Sequence, residues 1–91
     1  MNVRAHVLIS GRVQAVFFRA GIKQMALALG VKGWARNLEE KVEAVFEGEK
    51  EKVDKIIDFC KRGPPGARVF NFKIDWEEFK NEFKDFQIKY S

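Results

Sequence analysis

The chain has 91 residues, 46% hydrophobic, 13% aromatic and 33% charged, with 17 Lys and Arg against 13 Asp and Glu. One domain over residues 1–91 fits that length, with a modest core and no room for a large multi-cofactor enzyme. The net charge of +4 favours small anionic ligands and, weakly, nucleic acid, with an ordinary solvated charged surface as the alternative; one His and one Cys exclude a zinc cage and an internal disulfide. Cys60 as the lone thiol points to a reducing cytoplasm. Without an apolar run of about 18 residues, or a basic stretch before an apolar one at the start, neither a membrane span nor a secretory signal is expected.

Residues 3–10 alternate, with Val3, Ala5, Val7 and Ile9 on one side, which predicts a strand. Leu8 on the other side suggests an inner strand, and Gly11 is expected to end it. Residues 20–29 place Ile22, Met25, Ala26 and Leu29 on one helical face, and Gly30 supplies a stop. Residues 33–38 and 42–47 read as two short strands around a tight hairpin of Glu39, Glu40 and Lys41. Residues 49–62 form a second amphipathic helix on Val53, Ile56, Ile57 and Cys60, with Glu51–Lys55 and Asp58–Arg62 as ion pairs on its wet side. Gly63-Pro64-Pro65-Gly66 breaks the chain. Residues 68–76 alternate Phe70, Phe72, Ile74 and Trp76 with polar residues as a long strand, and a polar turn over 77–84 leads to a last strand at 85–89.

The order β-α-β-β-α-β plus one short strand predicts an α+β, ferredoxin-like sandwich, with an antiparallel sheet and both helices on one face. That fold serves many functions, so function must come from a site. The informative stretch is Gly11-Arg12-Val13-Gln14-Ala15-Val16-Phe17-Phe18-Arg19, which joins the first strand to the first helix. A loop entering a helix offers unpaired backbone N–H groups at the positive end of the dipole, and Arg19 adds a forked cation. An ordinary connection with a surface Arg is the alternative.

The stretch resembles the acylphosphatase signature G-x-V-Q-G-V-x-F-R at Gly11, Val13, Gln14, Val16, Phe18 and Arg19. Gly33-Trp34-Ala35-Arg36-Asn37 resembles a second block of that family, Val42 and Gly48 keep a family spacing, and Phe86-Gln87-Ile88 resembles its C-terminal strand. The resemblance implies hydrolysis of the carboxyl–phosphate anhydride of a small-molecule acyl phosphate, releasing inorganic phosphate. It implies that the amides of Gln14, Ala15, Val16, Phe17, Phe18 and Arg19 hold the phosphoryl group, that Arg19 grips its oxygens, and that Asn37 positions water. It implies no cofactor and no metal.

The chemistry suits this inventory. A carboxylate leaves without a proton, so no general acid is needed, and positioning with charge stabilisation suffices. Cys60 on an apolar helix face is expected to be a buried thiol, and His6 to be structural. Phe18 and Trp34 are expected to pack the core beside the site, and Phe70 and Phe72 of the fourth strand are expected to be core. Arg12, Arg36 and Arg68 are expected at the surface.

Two positions depart from the family pattern. Ala15 stands where a Gly is usual and is expected to weaken phosphate binding without abolishing it. Glu40 stands in a hairpin that is one residue short, which is expected to change the turn. Two alternatives remain: a weakly active or inactive phosphate-binding regulatory domain, and an RNA-binding module of the same fold. The latter needs aromatics on the third strand, where Val42-Glu43-Ala44-Val45-Phe46-Glu47 has two acids and one aromatic. Neither a nucleic-acid nor a membrane partner is expected, and the chain is expected to be a monomer.

Overall fold

A computed structural model describes residues 1–14 and 16–90. The elements run β1 (Asn2–Arg12), α1 (Phe18–Leu29), β2 (Lys32–Leu38), β3 (Lys41–Glu49), α2 (Lys50–Arg62), β4 (Arg68–Glu77) and β5 (Phe86–Lys89). They form one sheet in the order β4-β1-β3-β2-β5. The first four strands pair antiparallel, as the sequence predicts. The added fifth pairs parallel to β2, from Gly33–Phe86 to Arg36–Lys89, so the sheet is mixed.

Strand parity sorts the side chains. Ala5, Val7 and Ile9 of β1 and Val42, Ala44 and Phe46 of β3 point to one face and are fully buried. The apolar stripes of both helices, including Ile22, Ala26, Val53, Ile56 and Cys60, pack in the same core. Phe86 anchors β5 in that core, its ring stacked 5.8 Å from that of Phe46. The Cys60 thiol is buried as expected, and burial pushes its pKa well above the ordinary thiol value.

Four local expectations are corrected. Gly11 does not end β1, because the strand continues to Arg12 through an irregularity at Ser10/Gly11. Gly11 has a φ of +133°, and a Cβ there would collide with the Arg68 carbonyl, so only glycine lets β1 stay paired. Phe70 falls opposite this shift, between the partners of Ser10 and Gly11, and is 75% exposed instead of core. Trp34 is also not in the core: Gly33 and Ala35 take the inward positions, so Trp34 faces the other side of the sheet, under Lys89 and Arg36. The i,i+4 ion pair among the described residues of α2 is Lys50–Asp54, in place of the two expected pairs.

The face away from the helices is partly charged and internally paired. Arg4 of β1 and Glu47 of β3 are buried together, 3.3 Å apart. Glu47 also accepts the backbone N–H groups of Lys80 (2.7 Å) and Glu82 (3.2 Å). Arg4 donates to Glu77 and lies over the Phe83 ring. The segment 78–85, which runs between strands on opposite edges of the sheet, is therefore strapped to the middle of it. Beside this cluster, His6 pairs with Glu43 at 2.7 Å, as befits a structural residue, and Arg36 donates to the same carboxylate at 2.6 Å. Arg36 is thus half-buried and paired, not a surface charge.

Candidate active site

Two strands and one helix entrance converge at one end of the core. The 13–17 segment leaves β1 and turns into α1 at Phe17, whose φ of 59° and ψ of 29° are left-handed. That conformation costs a non-glycine residue roughly 1–2 kcal/mol. No side chain caps this terminus, and its first turn carries no acid. The first helical bond runs from the Gly21 N–H to the Phe17 carbonyl at 2.9 Å. The amides of Phe18, Arg19 and Ala20 therefore have no acceptor within the helix and stand at the positive end of its dipole.

A cleft of about 350 Å³ opens at this point, lined by Val13, Gln14, Phe17, Phe18, Arg19, Ala20, Ile88 and Tyr90. Among the described residues of that lining, Arg19 is the one that is charged. Its guanidinium lies 5.3 Å from the centroid of the Tyr90 ring, a contact that steadies the cation and leaves its N–H donors available to an oxyanion. Phe18 is 1% exposed and packs edge-on against Phe59 of α2, so the core expectation holds for it and fixes the start of α1.

The Gln14 side chain is committed elsewhere. Its Nε2 donates to the carbonyl oxygens of Glu39 (2.8 Å) and Lys41 (3.0 Å). That leaves Gln14 its backbone amide for a ligand. The hairpin it grips is a two-residue turn, with Leu38 paired to Lys41 and Glu39 at a φ of +57°. A positive φ at the first central residue is the hairpin requirement that glycine usually meets. Asn37 lies on β2 next to this turn, paired with Val42 and exposed. Its parity matches Gly33 and Ala35, so it projects from the face of the sheet that carries α1. Asn37 is not part of the cleft lining; it sits one residue past the Arg36–Lys89 pair, as Tyr90 does on β5.

The structure thus brings Gln14, Phe17, Phe18 and Arg19 into one cleft and leaves Val16 half-buried in the loop beside it. Ala15 lies outside the described residues. Sequence reasoning missed Tyr90 and Ile88 as cleft walls: their place depends on the parallel pairing of β5 with β2, which no local pattern announces. Among the described residues, no three His, Cys, Asp or Glu side chains are grouped to hold a metal ion, and no helix is long and apolar enough to cross a membrane.

Fold and site together define an α+β sandwich with an uncapped helix entrance and an arginine sharing one cleft after its first strand. The acylphosphatase family model matches residues 5–88. An acylphosphatase of Pyrobaculum islandicum is 54% identical over 89 residues, covering 96% of this chain and 94% of its own. One from Pelotomaculum thermopropionicum is 48% identical, covering 98% of each. The solved acylphosphatase from Coxiella burnetii superposes with a TM-score of 0.90 at 32% identity, over 97% of this chain and 93% of that one. The chain belongs to the acylphosphatase family.

Proposed function

We propose that this acylphosphatase hydrolyses acyl phosphates in the Arg19 cleft, with the phosphoryl group in the 14–19 loop and water positioned by Asn37. The observation that carries the reading is the uncapped start of α1, whose free amides share one cleft with Arg19. The backbone N–H groups of Gln14, Val16, Phe17, Phe18 and Arg19 are the donors assigned to the phosphoryl oxygens, and the Arg19 guanidinium completes the shell. Ala15 is the further residue assigned to this cradle by its place in the sequence.

The chemistry asks little more. Water attacks phosphorus as the phosphorus–acyl oxygen bond breaks, and the carboxylate departs with the bonding pair. Its conjugate acid has a pKa of about 4–5, judged by Asp and Glu side chains, so it leaves unprotonated. Both water protons remain with the phosphate product. Charge on the equatorial oxygens is met by fixed dipoles and one cation. The Asn37 amide offers a donor and an acceptor to the water and has no proton to titrate. No step is assigned to a metal or cofactor, which hydrolysis in the presence of a chelator tests.

The inactive-domain reading predicts phosphate binding without turnover. The RNA-binding reading is disfavoured by the open sheet face, where the third strand presents Glu43 and Glu47, both engaged by cations, in place of stacking aromatics. A cytoplasmic monomer is the assembly that fits best. Its lone Cys60 is buried, and its β4 edge is blunted by Lys73 and by the shift at Phe70. Size-exclusion chromatography coupled to light scattering tests the monomer.

A further inference from the structure

Phe17 is explained neither by packing nor by local conformational preference. Its side chain is 84% exposed, and its backbone is held in the left-handed region that bulky residues avoid. It stands at the mouth of the Arg19 cleft. Across the same cleft stands Tyr90, 83% exposed, with Arg19 against its ring. Between them the floor is apolar, formed by Val13, Phe18 and Ile88. The cleft has more room than a phosphoryl group fills. A phosphoryl group seated on the loop amides therefore sends its acyl half outward between two rings.

We propose that Phe17 and Tyr90 select the acyl group, so that the enzyme favours acyl phosphates with an aromatic or extended apolar acyl half over short ones. This rests on the cleft being the acyl phosphate site. A flat acyl group buries its face against Phe17 and meets the outer part of the Tyr90 ring; a methyl group reaches neither. Backbone strain kept beside a site is consistent with a residue held for its contact with ligand.

The test compares kcat/KM for benzoyl phosphate and acetyl phosphate in the wild type, Phe17→Ala and Phe17→Tyr. Taking the benzoyl-to-acetyl ratio within each protein, and then comparing proteins, cancels the different intrinsic reactivities of the two anhydrides. The expected result is a ratio lowered about three- to tenfold in Phe17→Ala and kept within about twofold in Phe17→Tyr, as one ring contact warrants. An unchanged ratio in Phe17→Ala overturns the proposal. Calorimetry with benzoylphosphonate and acetylphosphonate, which cannot be hydrolysed, separates this from the function itself. If the wild type hydrolyses neither substrate, the proposed function falls. The selection still stands if benzoylphosphonate binds more tightly and Phe17→Ala removes the difference; equal affinities overturn it.

Discussion

The Gln14 side-chain amide donates to the Glu39 carbonyl at 2.8 Å, and so ties the loop before α1 to the tip of the hairpin that carries Asn37. A second bond from the same nitrogen to Lys41 makes the tie a clamp on both sides of the turn. This contact sets the loop and the Asn37 strand end relative to one another across 25 residues of sequence.

Removing the clamp should therefore damage chemistry more than folding. The freed carbonyls are at the surface, where water replaces the amide, so Gln14→Ala should cost about 1 kcal/mol of stability. Misplacement of Asn37 should lower kcat by roughly tenfold to a hundredfold. Steady-state kinetics and a denaturant titration on the same variant check both. A loss of stability without a loss of kcat would leave Gln14 as a merely structural residue.

Phe17 predicts a trade of stability against selection. Asn tolerates the left-handed region far better than Phe and gives up little packing, because Phe17 is exposed. Phe17→Asn should stabilise the fold by about 1 kcal/mol, which for a domain of this size raises Tm by roughly 4–8 °C. Thermal unfolding followed by circular dichroism decides it; an unchanged or lower Tm would show that the conformation carries no strain.

The strap over the open face gives acid sensitivity. Burial alone would raise the Glu47 carboxyl, but the N–H groups of Lys80 and Glu82 and the Arg4 guanidinium outweigh it and hold its pKa below the ordinary 4.5. Glu43 is held low in the same way: burial opposes, and His6 and Arg36 prevail. A folded-state pKa below the unfolded one stabilises the fold above the unfolded value and is lost as pH falls through the folded one. Stability contributed by these two groups should thus be full at neutral pH and disappear below about pH 4.5. Glu47→Ala should cost about 1–3 kcal/mol near neutrality, because the N–H groups of Lys80 and Glu82 lose their acceptor while Arg4 keeps Glu77 and Glu82. Urea unfolding of the wild type and the variant from neutral to acid pH should show the gap closing as pH falls.

Arg12 and Arg68 face each other across β1 and β4, two exposed like charges at the start of the loop. Such a pair costs the sheet a little and gives the cleft a positive approach. Arg12→Gln should raise KM severalfold at low ionic strength with kcat unchanged. At high salt, where the Debye length shrinks to about 3 Å, the difference should vanish. A salt-independent rise in KM would place Arg12 in direct contact with substrate.

Much of this was legible in the sequence because the elements are locally consistent. Strand alternation from Val3 to Ile9 and the Ile22–Leu29 stripe each declare both element and face, and the structure matches them within a residue or two. The Gln14–Arg19 stretch was singled out by its resemblance to the family signature, since a βα loop with an Arg is by itself also an ordinary connection. Long-range geometry was not legible. Trp34 was expected inside because large aromatics usually pack, but parity is fixed by Gly33 and Ala35. Among the described residues of the loop, Phe17 takes the left-handed conformation, which no sequence pattern announced. Tyr90 joins the site through a parallel pairing, and the Arg4–Glu47 pair is buried by a strap 33 residues or more away from Glu47.

The most direct test is hydrolysis of an acyl phosphate in the presence of a metal chelator by the wild type, Arg19→Ala and Asn37→Ala. The account predicts turnover that survives chelation in the wild type. It also predicts losses of about a hundredfold or more in each variant, the range seen when one transition-state donor is removed, with the fold intact by circular dichroism. Turnover that stops with the chelator, or that persists in the folded Arg19→Ala variant, would contradict it.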